Sequence, residues 1–142
     1  MEYETQTQTQ TQTTIDKTGI MRAFNKHFFD FVDDVIRVFP ENIELSTARE
    51  SFETFRRANP TAIIKAWNKF VAQKYGDRLM AGDLDYFLEK DYSEDLANLR
   101  NSNKVIEIID TLREPLKNMG DSNREMSLKY LTNLCKLSVM YH

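Results

Sequence analysis

Cysteine occurs once in the 142 residues, at Cys135, so no disulfide can form within the chain and a reducing compartment suits it. Glycine occurs four times and proline three times. A many-stranded sheet needs a turn signal every 8–12 residues or so, and so little punctuation disfavours one. The two histidines are His27 and His142, which leaves little for imidazole catalysis or metal ligation. No apolar run approaches the ~18 residues of a membrane span. Glu2 and Glu4, with no apolar stretch behind them, do not make a secretory signal. Excess charge is missing as well: a net charge of −3 exerts no global pull toward nucleic acid or an anionic membrane. The expectation is a soluble chain in the cytoplasm.

What is present has the balance of an ordinary globular protein, 41% hydrophobic and 29% charged. Residues 5–13 alternate Thr and Gln, and Thr14 extends the run. No apolar side chain there can offset the entropy lost on ordering, so residues 1–14 are expected to form a disordered low-complexity tail. Residues 15–142 then form one helical domain, long enough for a core without staples or metals.

Periodicity places the helices. Met21, Phe24, Phe28, Phe31, Val32, Val35 and Phe39 recur mostly at three- and four-residue intervals, which predicts a helix over 16–39. Phe29, Ile36 and Val38 widen its stripe, so two neighbouring elements should cover it, and Pro40 should end it. Leu45, Ala48, Phe52 and Phe55 predict a helix over 43–57, with Thr47 and Glu50 as a possible internal capping box. Asn59-Pro60 reads as a cap opening a third helix over 60–75, which buries Ile63, Ile64, Trp67, Phe70 and Val71 and stops at Gly76. Asp83 and Ser93 are suited to cap short turns. The register of Val105, Ile109, Leu112, Leu116 and Met119 predicts a helix over 102–119 that Pro115 should kink or split. Ser122 with Glu125 signals the start of a last helix over 122–140, which buries Met126, Leu131, Leu134, Cys135, Leu137 and Tyr141. The fold class is all-α: an irregular bundle of about five principal helices plus short helical turns.

No catalytic or metal-binding constellation emerges. A nucleophile at Cys135 would need a base oriented by a third group, and Cys135 lies on an apolar helix face with His27 as the sole internal histidine. No glycine-rich phosphate loop occurs. Asp30, Asp33 and Asp34 share one helical turn, a pattern that suits a solvated face. Counting from Asp83, Glu94 falls where a calcium loop of the EF-hand type places its bidentate ligand. That loop also needs a ligand and a sharp-turning glycine where this chain has Phe87 and Leu88. Neither a cofactor nor an enzymatic activity is expected.

Charge is distributed in blocks. Residues 49–82 carry net +4 between acidic flanks, through Arg49, Arg56, Arg57, Lys65, Lys69, Lys74 and Arg78. With Trp67, Phe70 and Tyr75 nearby, this basic segment is a candidate contact for nucleic-acid phosphate. Those aromatics also fit the apolar stripe of the third helix, which makes them core. The aromatic supply of the first helix exceeds what one neighbour can cover, and surplus apolar surface marks an interface as readily as a core. Phe24, Phe28, Phe29, Ile36 and Trp67 are therefore the candidate interface.

Three stretches carry a family resemblance. They are Ala23-Phe24-Asn25-Lys26-His27-Phe28 running to Val38-Phe39-Pro40; Arg57-Ala58-Asn59-Pro60 with Trp67; and Gly82-Asp83-Leu84-Asp85-Tyr86-Phe87-Leu88-Glu89-Lys90-Asp91-Tyr92 followed by the helical end through Tyr141. Together they resemble small helical proteins of large nucleocytoplasmic DNA viruses, such as those infecting algae and protists. The resemblance spans about residues 20–142 and implies a cytoplasmic or virion setting, with no activity to carry over. The expected function is that of a non-enzymatic interaction or structural protein, working through a protein partner or self-association. Nucleic-acid association through the basic segment is the alternative.

The Thr-Gln dipeptides also resemble target sites of kinases that respond to DNA damage. We read the run as a neutral repeat. Phosphopeptide mapping of protein from cells should find Thr5, Thr7, Thr9 and Thr11 unmodified, and phosphate on them would reverse that reading.

Overall fold

The computed structural model describes residues 2–89 and 104–142, and every regular element among them is helical. Helix α1 is Glu2–Val38. Its backbone takes in the Thr/Gln run, while among the described side chains the apolar row is partly buried at Ile20 and Met21 and buried at Phe24, Phe28, Phe31, Val32 and Val35. Phe39 and Pro40 turn the chain, and the Asn42 N–H donates to the Phe39 carbonyl at 3.1 Å. Helix α2, Ile43–Ala58, starts on the Asn42 side chain, which accepts from the Leu45 N–H at 3.2 Å. The capping box suggested at Thr47 and Glu50 is not the start. Asn42 already satisfies an orphan donor one turn earlier.

Asn59 closes α2 and prepares the next helix. Its N–H donates to the Phe55 carbonyl at 2.8 Å, and its side-chain oxygen accepts from the N–H and hydroxyl of Thr61. The rod that follows comprises α3 (Ala62–Trp67), a π-helical turn at Asn68–Ala72, and α4 (Gln73–Met80). Its buried residues Trp67, Val71, Tyr75 and Leu79 recur every four positions. Four residues overshoot a 3.6-residue turn, so a plain α-helix would rotate this row off the core. The π turn takes up one more residue and cancels the drift.

The rod does not stop at Gly76. Gly76 keeps a helical conformation, and burial of Leu79 rewards another turn. The stop is Gly82, whose φ is +86°. The Asp83 N–H donates to the Arg78 carbonyl at 2.8 Å and the Gly82 N–H to Leu79 at 3.0 Å, the paired bonds of a Schellman ending. Asp83 then caps α5 (Leu84–Glu89), accepting from the Tyr86 N–H at 3.1 Å. The cap suggested at Ser93 lies outside the described residues.

The helix expected over 102–119 is split. Helix α6 is Lys104–Asp110 and α7 is Arg113–Lys117, with a turn at Thr111 and Leu112. Pro115 has no N–H for the Thr111 carbonyl and its ring crowds that group, so the break falls four residues upstream of the proline. Helix α8, Asp121–Tyr141, begins at Gly120 with no side-chain cap. Ser122 is already helical, and the Arg124 N–H donates to the Gly120 carbonyl at 2.9 Å. The buried face of α8 is Ser127, Leu131, Leu134, Cys135 and Ser138. Met126 falls beside that face and is 47% exposed, contrary to the expectation from pattern.

Helix α1 is the central element, packed on α2, α3 and α8. Phe28 is the hub of the core. Its ring meets Phe52 of α2 edge-on at 4.7 Å and Trp67 of α3 edge-on at 5.9 Å, and stacks with Phe24 at 6.1 Å. On the other side of α1, Phe31 packs against Tyr130 of α8 at 5.4 Å.

Two glycines should respond oppositely to alanine. Gly76→Ala should stabilise the single chain in dilute solution by about 0.5–1 kcal/mol, because it removes helix-interior glycine entropy and the added carbon meets nothing within 4 Å in the chain itself. Gly82→Ala should destabilise by about 1–2 kcal/mol through its left-handed backbone. Urea denaturation midpoints of the two variants check both signs.

Candidate functional site

The five candidate interface residues are not a free surface. Phe24, Phe28, Phe29 and Trp67 are buried and belong to the core, and Ile36 packs partly buried against it. The surplus apolar width of α1 is covered inside the chain, by α2 and α3 on one side and α8 on another.

The basic segment is divided by the fold. The Nε of Arg49 donates to Asp33 at 2.5 Å, which raises the arginine's pKa, and its guanidinium lies over the Phe29 ring at 5.3 Å. Arg56 pairs with Glu53 and covers Phe29 from 5.0 Å. Arg78 pairs with Asp83 at 3.3 Å and lies over Tyr86. Lys69 and Lys74 flank the Phe70 ring. Arg57 and Lys65 are exposed. Arg49, Arg56 and Arg57 share a wide polar hollow with Arg22, Asp30 and Asp33, whereas Lys65, Lys69, Lys74 and Arg78 lie along the α3–α4 rod.

His27 and the aspartates Asp30, Asp33 and Asp34 of α1 are held by packing and ion pairs. His27 lies against the Tyr130 ring at 4.8 Å, and its Nε2 is buried without a partner. Desolvation by burial lowers its pKa, which Asp30 opposes and Lys26 reinforces. Burial thus favours the neutral imidazole, and among the described residues no hydrogen bond to Nε2 orients it. The Tyr130 hydroxyl donates to Asp34, and that bond, with burial, pushes its pKa up to about 12. Asp30, Asp33 and Asp34 each pair with a different cation: Lys26 at 2.9 Å, Arg49, and Arg37 at 2.5 Å. Phe87 and Leu88 are buried in α5, and Glu94 lies outside the described residues. Among the described residues, no group of three His, Cys, Asp or Glu side chains is placed to hold a metal. No helix among them is long and apolar enough to cross a membrane.

The surface that stands out was not anticipated. Where α4 and α8 run side by side they leave an apolar groove of about 390 Å³ lined by Ala72, Gly76, Asp77, Met80, Cys135, Lys136, Val139 and Met140. Its floor is small: Ala72, Gly76 and the buried Cys135. Its banks carry three large apolar side chains in water, Met80 at 52%, Val139 at 60% and Met140 at 64% exposure. A carbon added at Gly76 would meet nothing within 4 Å, so the groove is open above the glycine. Asp77 on one bank and Lys136 on the other have no ion-pair partner among the described residues.

A buried polar node holds this region in register. The Gln73 amide donates to the Asn68 side-chain oxygen at 2.8 Å, the Asn68 amide donates to Ser138 Oγ at 3.5 Å, and that hydroxyl donates to the Cys135 carbonyl at 2.8 Å. The π turn is thereby tied to α8 beside the groove. The sequence carries a signal for it: Ala72, Gly76 and Met80 repeat every four residues alongside the buried row Val71, Tyr75 and Leu79.

Compared with protein-family models, with curated proteins and with solved structures, this chain matches none.

Burial pushes the Cys135 thiol up to about 11. Native protein at neutral pH should therefore react with a disulfide reagent at least about 100-fold more slowly than denatured protein, since the thiolate is the nucleophile. A raised folded-state pKa contributes stability in full below the ordinary value of 9.0, and this is lost as pH rises toward about 11. Cys135→Ala should flatten that alkaline loss in pH-dependent urea denaturation.

Proposed function

We propose that this is a non-enzymatic interaction protein whose docking surface is the groove between α4 and α8. One observation carries the reading: Met80, Val139 and Met140 are all more than half exposed and all border one small-residue channel. Scattered exposed apolar residues are normal on any protein, but a contiguous set around a concavity marks a binding surface. Methionine suits such a surface, because its unbranched, polarisable side chain adapts to what it meets. The groove is also built on paired helices, so the shape it offers is fixed before a partner arrives.

The family resemblance adds a cytoplasmic or virion setting to this proposal. Nucleic-acid association through the basic segment has less to draw on. Arg49, Arg56 and Arg78 direct their charge at Asp33, Glu53 and Asp83, and a phosphate would have to compete with those carboxylates.

The test is comparative capture from the cells that make the protein. Val139→Glu with Met140→Glu changes exposed positions and should leave stability within about 0.5–1 kcal/mol. The double variant should lose a protein partner that both wild type and Lys65→Glu retain. Equal capture by all three would overturn the assignment of the groove.

A further inference from the structure

We infer that the occupant of the α4–α8 groove is the same groove of a second copy of this chain, in a two-fold dimer. The inference rests on the docking reading above and names its partner.

The groove is self-complementary in shape. An isologous interface requires one patch to supply both members of every contact. This patch does so: Ala72 and Gly76 form a hole, and Met80, Val139 and Met140 stand beside it as knobs. A single amphipathic helix laid in the channel would fill the hole but leave the outer faces of the knobs in water. A second groove inverted over the first covers both.

Gly76 supports the same conclusion. A glycine inside a helix forgoes about 1 kcal/mol relative to alanine. Here no positive φ requires it, and no neighbour within the chain would collide with a side chain. Its missing side chain does nothing for the isolated chain, but it provides depth for a knob from outside.

Charge fixes the arrangement. Asp77 lies on the α4 bank and Lys136 on the α8 bank, neither paired within the described chain. A two-fold axis along the groove lays α4 of one copy over α8 of the other. Asp77 then meets Lys136 of the second copy, and the symmetry makes this contact twice. Such pairs at the rim of an apolar contact set register and exclude wrong arrangements more than they add affinity.

Sedimentation equilibrium tests the dimer and its symmetry together. Wild type at about 100 µM should approach twice the 16.7 kDa chain mass. Asp77→Lys places lysine against lysine at both contacts, and Lys136→Asp places aspartate against aspartate. Each variant alone should weaken the dimer at least about tenfold. An equimolar mixture of the two should recover it, because the mixed dimer restores both opposite-charge contacts. Gly76→Leu should give a monomer, and circular dichroism of each variant checks that the helices are intact. A wild type that stays monomeric at about 1 mM, or a mixture no tighter than its components, overturns the two-fold proposal. A monomeric wild type that still loses a captured partner on Val139→Glu with Met140→Glu would overturn the second copy as occupant while upholding the docking reading. Loss of neither property would sink both.

Discussion

The aromatic contact made by Phe28 is the constraint from which the rest of the arrangement follows. Phe28 sits on α1 and touches Phe52 of α2 and Trp67 of α3, both edge-on. Edge-to-face aromatic pairs contribute about 0.5–1.5 kcal/mol each beyond the area they bury. Their larger effect here is geometric, because three helices must converge on one ring. With that face of α1 committed to α2 and α3, its other face, carrying Phe31 and Val35, is left for α8. Phe24, Phe28, Phe29 and Phe31 of α1 are therefore enclosed and belong to the core, not to an external interface.

Enclosing α1 places the α3–α4 rod beside α8, and the join is polar as well as apolar. Asn68, Gln73 and Ser138 form a chain of hydrogen bonds across it. A buried amide left without partners would cost about 1–3 kcal/mol, so the π turn and α8 are held at one relative position rather than free to slide. That register leaves Ala72 and Gly76 opposite Cys135, with too little side chain between the rods to close the gap. The groove is thus a consequence of packing that is tight on the inner row and short of side-chain volume on the outer one.

The sequence was informative wherever local chemistry decides. The bounds of α2, the turn at Pro40, the cap at Asp83 and the split ahead of Pro115 were all legible, because a cap or a proline acts within a turn of itself. It misled where two local signals competed or a tertiary reward intervened. Gly76 carries the composition of a stop, yet burial of Leu79 one turn later outweighs it, and Gly82 ends the rod. Ser122 and Glu125 match a capping box, but the helix starts one residue before Ser122, at Asp121. The candidate site was read least well. Apolar width on α1 indicated more than one contact, and nothing in periodicity distinguishes a contact inside the chain from one outside it.

By itself, the sequence determined the helical class, most helix boundaries and the burial of Cys135. These depend on repeats of three and four residues, on caps and on side-chain chemistry, all properties of neighbours in the chain. Tertiary structure alone decided which apolar residues stay in water. Met80 lies some sixty residues from Val139 and Met140, and no local rule relates them. They share a surface because Phe28 brings α3 under α1, α8 closes the other side, and small residues at the α4–α8 seam leave a channel between them.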